Sequence, residues 1–235
     1  MDVQGQLLNA VGTGRGAEAA DRLCKACVTV LGVDAAAISL VFDGASTGTL
    51  GASSAPARLW DELQFTLGEG PCLDSVAHRT PVVVDDLADT RIVRWPLYGP
   101  AMLAYEVRGV CAFPVVIAGQ YVGALDLFRS APGMWGDDQF SGALVAAELA
   151  EMPLLDLLDT DLQAAVSDPD SDAWSELTAL SRVEVSQATG MVVAQLEITP
   201  AAALSRLRAH AYATGRSVTD VARDILDRRL RLEAD

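Results

Sequence analysis

Apolar residues recur at spacings of three and four from about Ala17 to Leu31. Ala20, Leu23, Cys24, Cys27, Val28 and Leu31 share one face, which predicts an amphipathic helix stopped by Gly32. The pattern then shortens to that of strands. Ala36-Ala37-Ile38-Ser39-Leu40-Val41-Phe42 reads as a strand and Asp43-Gly44 as a turn. A second strand around Thr49–Ala52, a short helix near Ala57–Leu63 and a strand over Pro81–Val84 follow. A helix over roughly Trp95–Glu106 places Pro96 near its first turn. Two apolar runs, Val110–Ile117 and Gln120–Phe128, flank Ala118-Gly119 and predict a hairpin with a tight turn. A helix of about Trp135–Ala150 closes the region. Strands mixed with helices, without strict βαβ alternation, indicate an α+β domain with a largely antiparallel sheet and flanking helices.

From Leu177 the helical period takes over. Ser181-Arg182-Val183-Glu184 matches a capping box, and helix is predicted through Gln195. Thr199-Pro200 is a cap with a first-turn proline. The helix it opens sets Leu204, Leu207 and Ala211 on one face, and Gly215 ends it. Ser217-Val218-Thr219-Asp220 opens a third helix, whose predicted apolar stripe is Val218, Val221, Ala222, Ile225 and Leu232. Between the two patterned regions, Leu154, Leu155, Leu158 and Leu162 also sit three and four apart. The connecting segment therefore carries a possible helix of its own, suited to pairing with a second chain.

Charge sharpens this division. The 235 residues hold 17 Lys+Arg and 32 Asp+Glu, a net of −15. Residues 1–176 carry 9 basic and 25 acidic side chains, and residues 177–235 carry 8 and 7, every one of the 8 an arginine. The stretch 151–176 has eight acidic residues and no basic one, including Ser167-Asp168-Pro169-Asp170-Ser171-Asp172. Charge step and loop composition coincide. The predicted organisation is an α+β domain at 16–150, an acidic linker at 151–176 and an all-α three-helix unit at 177–235. No apolar run is long enough to span a bilayer and no basic leader opens the chain, so a soluble, cytoplasmic protein without a membrane partner is expected.

Catalytic patterns are scarce. The sequence has no Walker loop, no GxSxG, no HExxH and no paired-histidine metal motif, so no catalytic residue and no metal site is assigned, and no cofactor is specified. Cys24-Lys25-Ala26-Cys27 has zinc or redox spacing but lies in an amphipathic helix without a second pair, which reads as two small buried residues. Cys72 and Cys111 are the thiols whose chemistry stays open.

Phe65-Thr66-Leu67-Gly68-Glu69-Gly70-Pro71-Cys72, Arg94-Trp95-Pro96 and the hairpin end Gly123-Ala124-Leu125-Asp126-Leu127 resemble a GAF domain, a small-ligand sensor fold. The resemblance covers about residues 16–150. Glycines at 68 and 70 allow backbone conformations closed to other residues, often where a chain passes a ligand. Gly68, Glu69, Gly70 and Cys72 are the candidate ligand-binding positions, against the alternative of a tight connection that touches nothing.

In the tail, Gln187-Ala188-Thr189-Gly190-Met191, Ala202-Ala203-Leu204-Ser205-Arg206-Leu207-Arg208, Ala211, Gly215-Arg216-Ser217 and Asp220-Val221-Ala222 resemble an ANTAR domain. The chain as a whole is similar to the GAF–ANTAR regulators of actinobacteria. The resemblance implies a homodimer that binds paired stem-loops in nascent mRNA and prevents a terminator hairpin, touching RNA polymerase only indirectly. It implies that the GAF half senses a small molecule or redox state. Arg206, Arg208, His210, Tyr212 and Arg216 are the candidate RNA-binding residues, Arg208 and Arg216 first, and Arg228, Arg229 and Arg231 form a second basic group. Many family members carry a basic residue where this chain has Thr189 and Gln195, which weakens the phosphate contact expected on the first helix. Two other readings stay open: a GAF-type thiol enzyme reducing methionine sulfoxide through Cys72 and Cys111, and a protein-interaction sensor module without RNA binding.

Overall fold

An antiparallel sheet organises the first part of the chain. The computed structural model describes residues 2–12, 14–42, 45–91, 94–156 and 182–233, which divide into two units, Met1–Leu177 and Thr178–Asp235. In the first, α1 (Val3–Val11) and α2 (Gly16–Leu31) precede β1 (Ala35–Phe42) and β2 (Ala45–Ala52). α3 (Ala55–Leu67), α4 (Pro71–His78), β3 (Val82–Val84) and α5 (Tyr98–Ala104) follow. β4 (Gly109–Ile117), β5 (Gln120–Arg129) and α6 (Asp137–Leu149) complete it. The strand order is β2-β1-β5-β4-β3, with every pairing antiparallel.

The β4–β5 turn needs two residues in the left-handed region. Ala118 (φ 48°) and Gly119 (φ 78°) supply it, so the turn's twist matches that of the strands. Side chains alternate across the sheet. Ala37, Ala112 and Phe128 face one core, which also takes Tyr98 and Met102 of α5 and is flanked by Trp60 of α3. Ala124 on the same face meets Cys72 of α4. Phe113 points the other way and meets Phe140 of α6, ring centroids 5.1 Å apart. α2 packs on β1 and β2, and Gly51 admits it, since a Cβ there would run into Ala20 and the backbone of Asp21.

The second unit is α7 (Val183–Leu196), α8 (Pro200–Thr214) and α9 (Val218–Leu226). Thr199 accepts from Ala202 N and Ser217 from Asp220 N, and Gly215 (φ 64°) ends α8, all as the pattern predicts. Val185, Ala188 and Val192 of α7, Ala203, Leu207 and Ala211 of α8, and Val218, Val221, Ala222 and Ile225 of α9 are buried.

Several elements differ from expectation. α1 and α4 were not foreseen, and α3 runs longer than 57–63. α5 is shorter than Trp95–Glu106: Glu69 caps its start at Leu97 and Tyr98, and Glu106 (φ 61°) leaves the helix at its end. Leu232 is buried but lies beyond α9, because Arg228 (φ 58°) turns the chain off the helix. The turn at Asp43-Gly44, the linker beyond 156, including Leu158 and Leu162, and the cap at Ser181 fall outside the described residues. Among the described residues no helix is long and apolar enough to cross a membrane.

Candidate ligand site and candidate nucleic-acid interface

In the first unit, polar side chains gather where the helical and strand periods cross. Ser54 caps α3 by accepting from Ala57 N. The helix then turns Asp61 and Gln64 onto the sheet, both fully buried. Asp61 accepts from Ser39 Oγ of β1 and Thr49 Oγ1 of β2. Asp126 of β5 accepts from Gln64 Nε2 at 2.9 Å, and Ser39 Oγ lies 3.4 Å from it. Gln64 Oε1 in turn accepts from Cys72 N at 2.8 Å. Two carboxyls thus share one buried cluster with no arginine or lysine bonded to either among the described residues.

The electrostatic consequence is direct. Burial, reinforced by Asp61, holds the Asp126 carboxyl well above the ordinary carboxylate range, against the hydrogen bonds from Gln64 and Ser39. Burial, then Asp126 and Asp61, raises the Tyr98 phenol well above its usual value. Three polar atoms of this core make no hydrogen bond among the described residues: Asp126 Oδ1, Tyr98 OH and Trp60 Nε1. Trp60 stacks edge-on to Phe128 at 5.4 Å, two residues along β5 from Asp126. An indole donor, a phenol and a carboxyl oxygen are therefore left open within one buried cluster, and such groups are costly unless filled.

The four candidate loop positions brace this cluster. Gly68 (φ 72°) ends α3. Glu69 Oε1 accepts from Leu97 N at 2.6 Å and Tyr98 N at 2.8 Å, which fixes α5 and with it the Tyr98 ring. Gly70 (φ 147°) lies against the Gln64 amide, where a Cβ would collide. Cys72 is buried and bonded through its N–H to Gln64. Arg94 (2.6 Å) and the Trp95 indole (3.1 Å) both reach Asp74 of α4. Sequence reasoning missed Asp61, Gln64, Asp126, Tyr98 and Trp60. An acid within the apolar run of β5 was the available signal.

The thiols are separated. Cys72 lies with Ala124 on the α4 side of the sheet, whereas Cys111 lies between Val110 and Ala112 on β4 and so faces the opposite side. Burial lifts Cys24 and Cys111 well above the usual thiol value and pushes Cys27 up to about 12, which disfavours thiolate.

In the second unit, the buried stripe Ala203–Leu207–Ala211 divides the candidate RNA-binding residues of α8. Arg206 and His210, four apart, lie on one flank, and Arg208 and Tyr212 on the other. Arg206 Nη1 donates to Glu233 O at 3.1 Å. Arg208 is half-buried, and desolvation lowers its pKa from the ordinary guanidinium value. Tyr212 is 56% exposed. Arg216, beyond the helix, pairs with Asp224 at 2.7 Å. Thr189 bonds back to Val185 O, and the Gln195 amide donates to Leu232 O.

A family model of the GAF domain matches residues 16–154, and one of the ANTAR domain matches residues 177–226. No curated protein matches the chain. The chain is similar to the solved GAF domain of an Acinetobacter phosphoenolpyruvate-protein phosphotransferase, with 9% identity over 63% of this chain and 88% of that one and a TM-score of 0.49. It is similar to the corresponding domain from Coxiella burnetii, with 15% identity, 63% and 90% coverage and a TM-score of 0.49. A third likeness is to the free methionine-R-sulfoxide reductase of Neisseria meningitidis, with 17% identity, 63% and 84% coverage and a TM-score of 0.47.

Proposed function

The chain belongs to the GAF domain family and carries an ANTAR domain behind it, and from that premise we propose that it is a ligand-regulated, RNA-binding transcription antitermination regulator. The ANTAR domain is an RNA-binding antitermination module and GAF a sensor domain, an architecture that suggests a regulator rather than an enzyme. The observation that carries the proposal is the presence of both domains, in this order, on one chain.

The ANTAR unit binds stem-loops in nascent leader RNA and excludes an overlapping terminator. This is a choice between two RNA folds, and the protein acts by binding one of them better. Arg206, Arg208, His210, Tyr212 and Arg216 contact RNA, the arginines at phosphate and Tyr212 by stacking on a splayed base. Two copies of the chain present two such units to paired stem-loops. A three-helix unit of this size buries little surface alone, which supports that reading. The surplus acid of the first 176 residues repels RNA from the sensor and linker and confines binding to the tail. RNA polymerase is affected only through the RNA, and the protein works in the cytoplasm.

The GAF domain senses a small molecule at the Asp126–Tyr98–Trp60 region. The three open hydrogen-bonding atoms support this, and they call for a polar ligand that meets the Asp126 carboxyl and offers an acceptor to the Trp60 indole. The placement of Cys72 and Cys111 on opposite faces of the sheet favours this reading over a thiol enzyme.

The test is transcription in vitro across the leader and terminator of an operon neighbouring the gene. Added protein should raise read-through several-fold, and Arg208→Ala/Arg216→Ala should abolish the gain. Read-through that ignores the protein on every neighbouring leader would overturn the proposal.

A further inference from the structure

We infer that residues 227–233, the segment after α9, form a phosphate-binding edge of the RNA-binding unit, with Arg228 and Arg231 as its cations; this rests on the RNA-binding reading above. The segment lies beyond the residues matched by the ANTAR model, which end at 226. It is nevertheless fastened at several points. Arg229 N and Leu230 N donate to Asp224 O at 2.8 and 3.0 Å, and Arg228 N donates to Ile225 O at 3.0 Å. The Gln195 amide of α7 holds Leu232 O, and Arg206 of α8 holds Glu233 O. Leu232 is only 8% exposed. The segment is thus a strap laid back toward α7 and α8, and ordering it before RNA arrives lowers the entropy lost on binding.

The strap also carries the cations that remain available. A guanidinium already paired with a carboxylate must give up that partner to take a phosphate. Arg216 is held by Asp224 at 2.7 Å, Arg223 by Glu184 and Asp220 at 3.4 Å, and Arg229 by Asp224 at 2.7 Å and Asp227 at 2.8 Å. Arg228 and Arg231 are exposed and make no ion pair among the described residues. Arg231 borders a cleft of about 420 Å³ with Gln195, Leu196, Leu232 and Glu233, so this cation stands beside a recess rather than on a convex surface.

The experiment is fluorescence anisotropy of the full chain with a labelled RNA hairpin of about 24 nucleotides, titrated across salt. Each phosphate contact contributes about 0.7–0.9 to the slope of log affinity against log salt. Arg228→Ala/Arg231→Ala should weaken binding about tenfold at physiological salt and shallow the slope by about 1.5. Gln195→Ala, which removes one fastening of the strap but keeps both arginines, should weaken binding modestly and leave the slope unchanged. Wild-type binding with a steep slope that the double variant reproduces would overturn the strap and leave the RNA-binding reading intact. A wild type that shows no salt-dependent binding would overturn both.

Discussion

Asp126 and Asp224 are carboxylates in opposite settings, one in the core of the sensor and one on the surface of the helical unit. Asp126 is fully buried, bonded to an amide and a hydroxyl, and next to a second acid. Asp224 is partly exposed and sits between two guanidiniums, Arg216 and Arg229, each at 2.7 Å. The hydrogen bonds from Arg216 and Arg229 hold its pKa below the ordinary value, whereas burial holds that of Asp126 above it. The first unit therefore keeps unmet polarity inside, the feature on which its proposed ligand site rests. The helical unit keeps its charge outside, where much of it is already balanced and a paired arginine such as Arg216 must exchange its carboxylate to meet a phosphate.

The largest effect that would break this contrast is removal of Asp61. Asp61→Ala strands the Thr49 hydroxyl in the core and leaves Ser39 only its 3.4 Å contact with Asp126, and should destabilise the first unit by about 3 kcal/mol. All four tryptophans (Trp60, Trp95, Trp135 and Trp174) precede residue 177, so denaturation followed by tryptophan fluorescence reads that unit alone. An unchanged midpoint would mean that the buried cluster is not structural.

Smaller, and opposite in sign between the two units, is the response to pH. Asp126 binds its proton more tightly folded than unfolded, so its contribution is complete below the unfolded value of about 4 and is lost as pH rises toward the raised value. The thermal midpoint of the first unit should fall between pH 5 and 8, and Asp126→Asn should flatten that fall. Asp224, with a lowered pKa, contributes above about pH 4 and loses its contribution as pH falls through the lowered value. Far-UV circular dichroism should show the helical unit loosening on the acid side. A first unit that gained stability toward pH 8 would reverse the assignment of Asp126.

The RNA side should respond with little change in stability. Arg216→Ala removes a partly exposed pair and leaves Asp224 its bond to Arg229, so the melting midpoint should move little, yet hairpin binding should weaken several-fold. At the bottom of the scale, Arg91→Ala breaks a pair whose arginine is 88% exposed, and neither melting nor RNA binding should change.

Much of this architecture was legible from local chemistry. The hairpin was marked by Ala118-Gly119, and α8 and α9 by Thr199-Pro200, Gly215 and Ser217, because caps and turns are fixed by residues a few positions apart. α4 escaped because Gly68 and Gly70 drew the reading toward a loop, although Pro71 at the first helical position was the sign of a helix start. Leu232 matched the periodicity of α9 but reaches the core by another route, since Arg228 breaks the helix and Gln195 recovers the chain. The sensor cluster was the least legible. Its bonds join Gln64 to Asp126 and Ser39 to Asp126, 62 and 87 positions apart, and no local pattern brings such residues together. Gly68 and Gly70 mark the segment in the sequence, and locally Glu69, Gly70 and Cys72 brace Tyr98 and Gln64.

Discrimination between RNAs offers the most direct test of stem-loop recognition, on which antitermination by this chain depends. The full protein should be titrated against the labelled leader of a neighbouring operon, with two competitors at matched salt: unlabelled leader, and an RNA of equal length in which the stem-loops are mutated to single strand. The prediction is that the intact leader displaces the label at least tenfold more effectively than the unfolded one, with affinity falling steeply as salt rises. Equal displacement by the two RNAs would show a tail that merely attracts phosphate, and would refute stem-loop recognition.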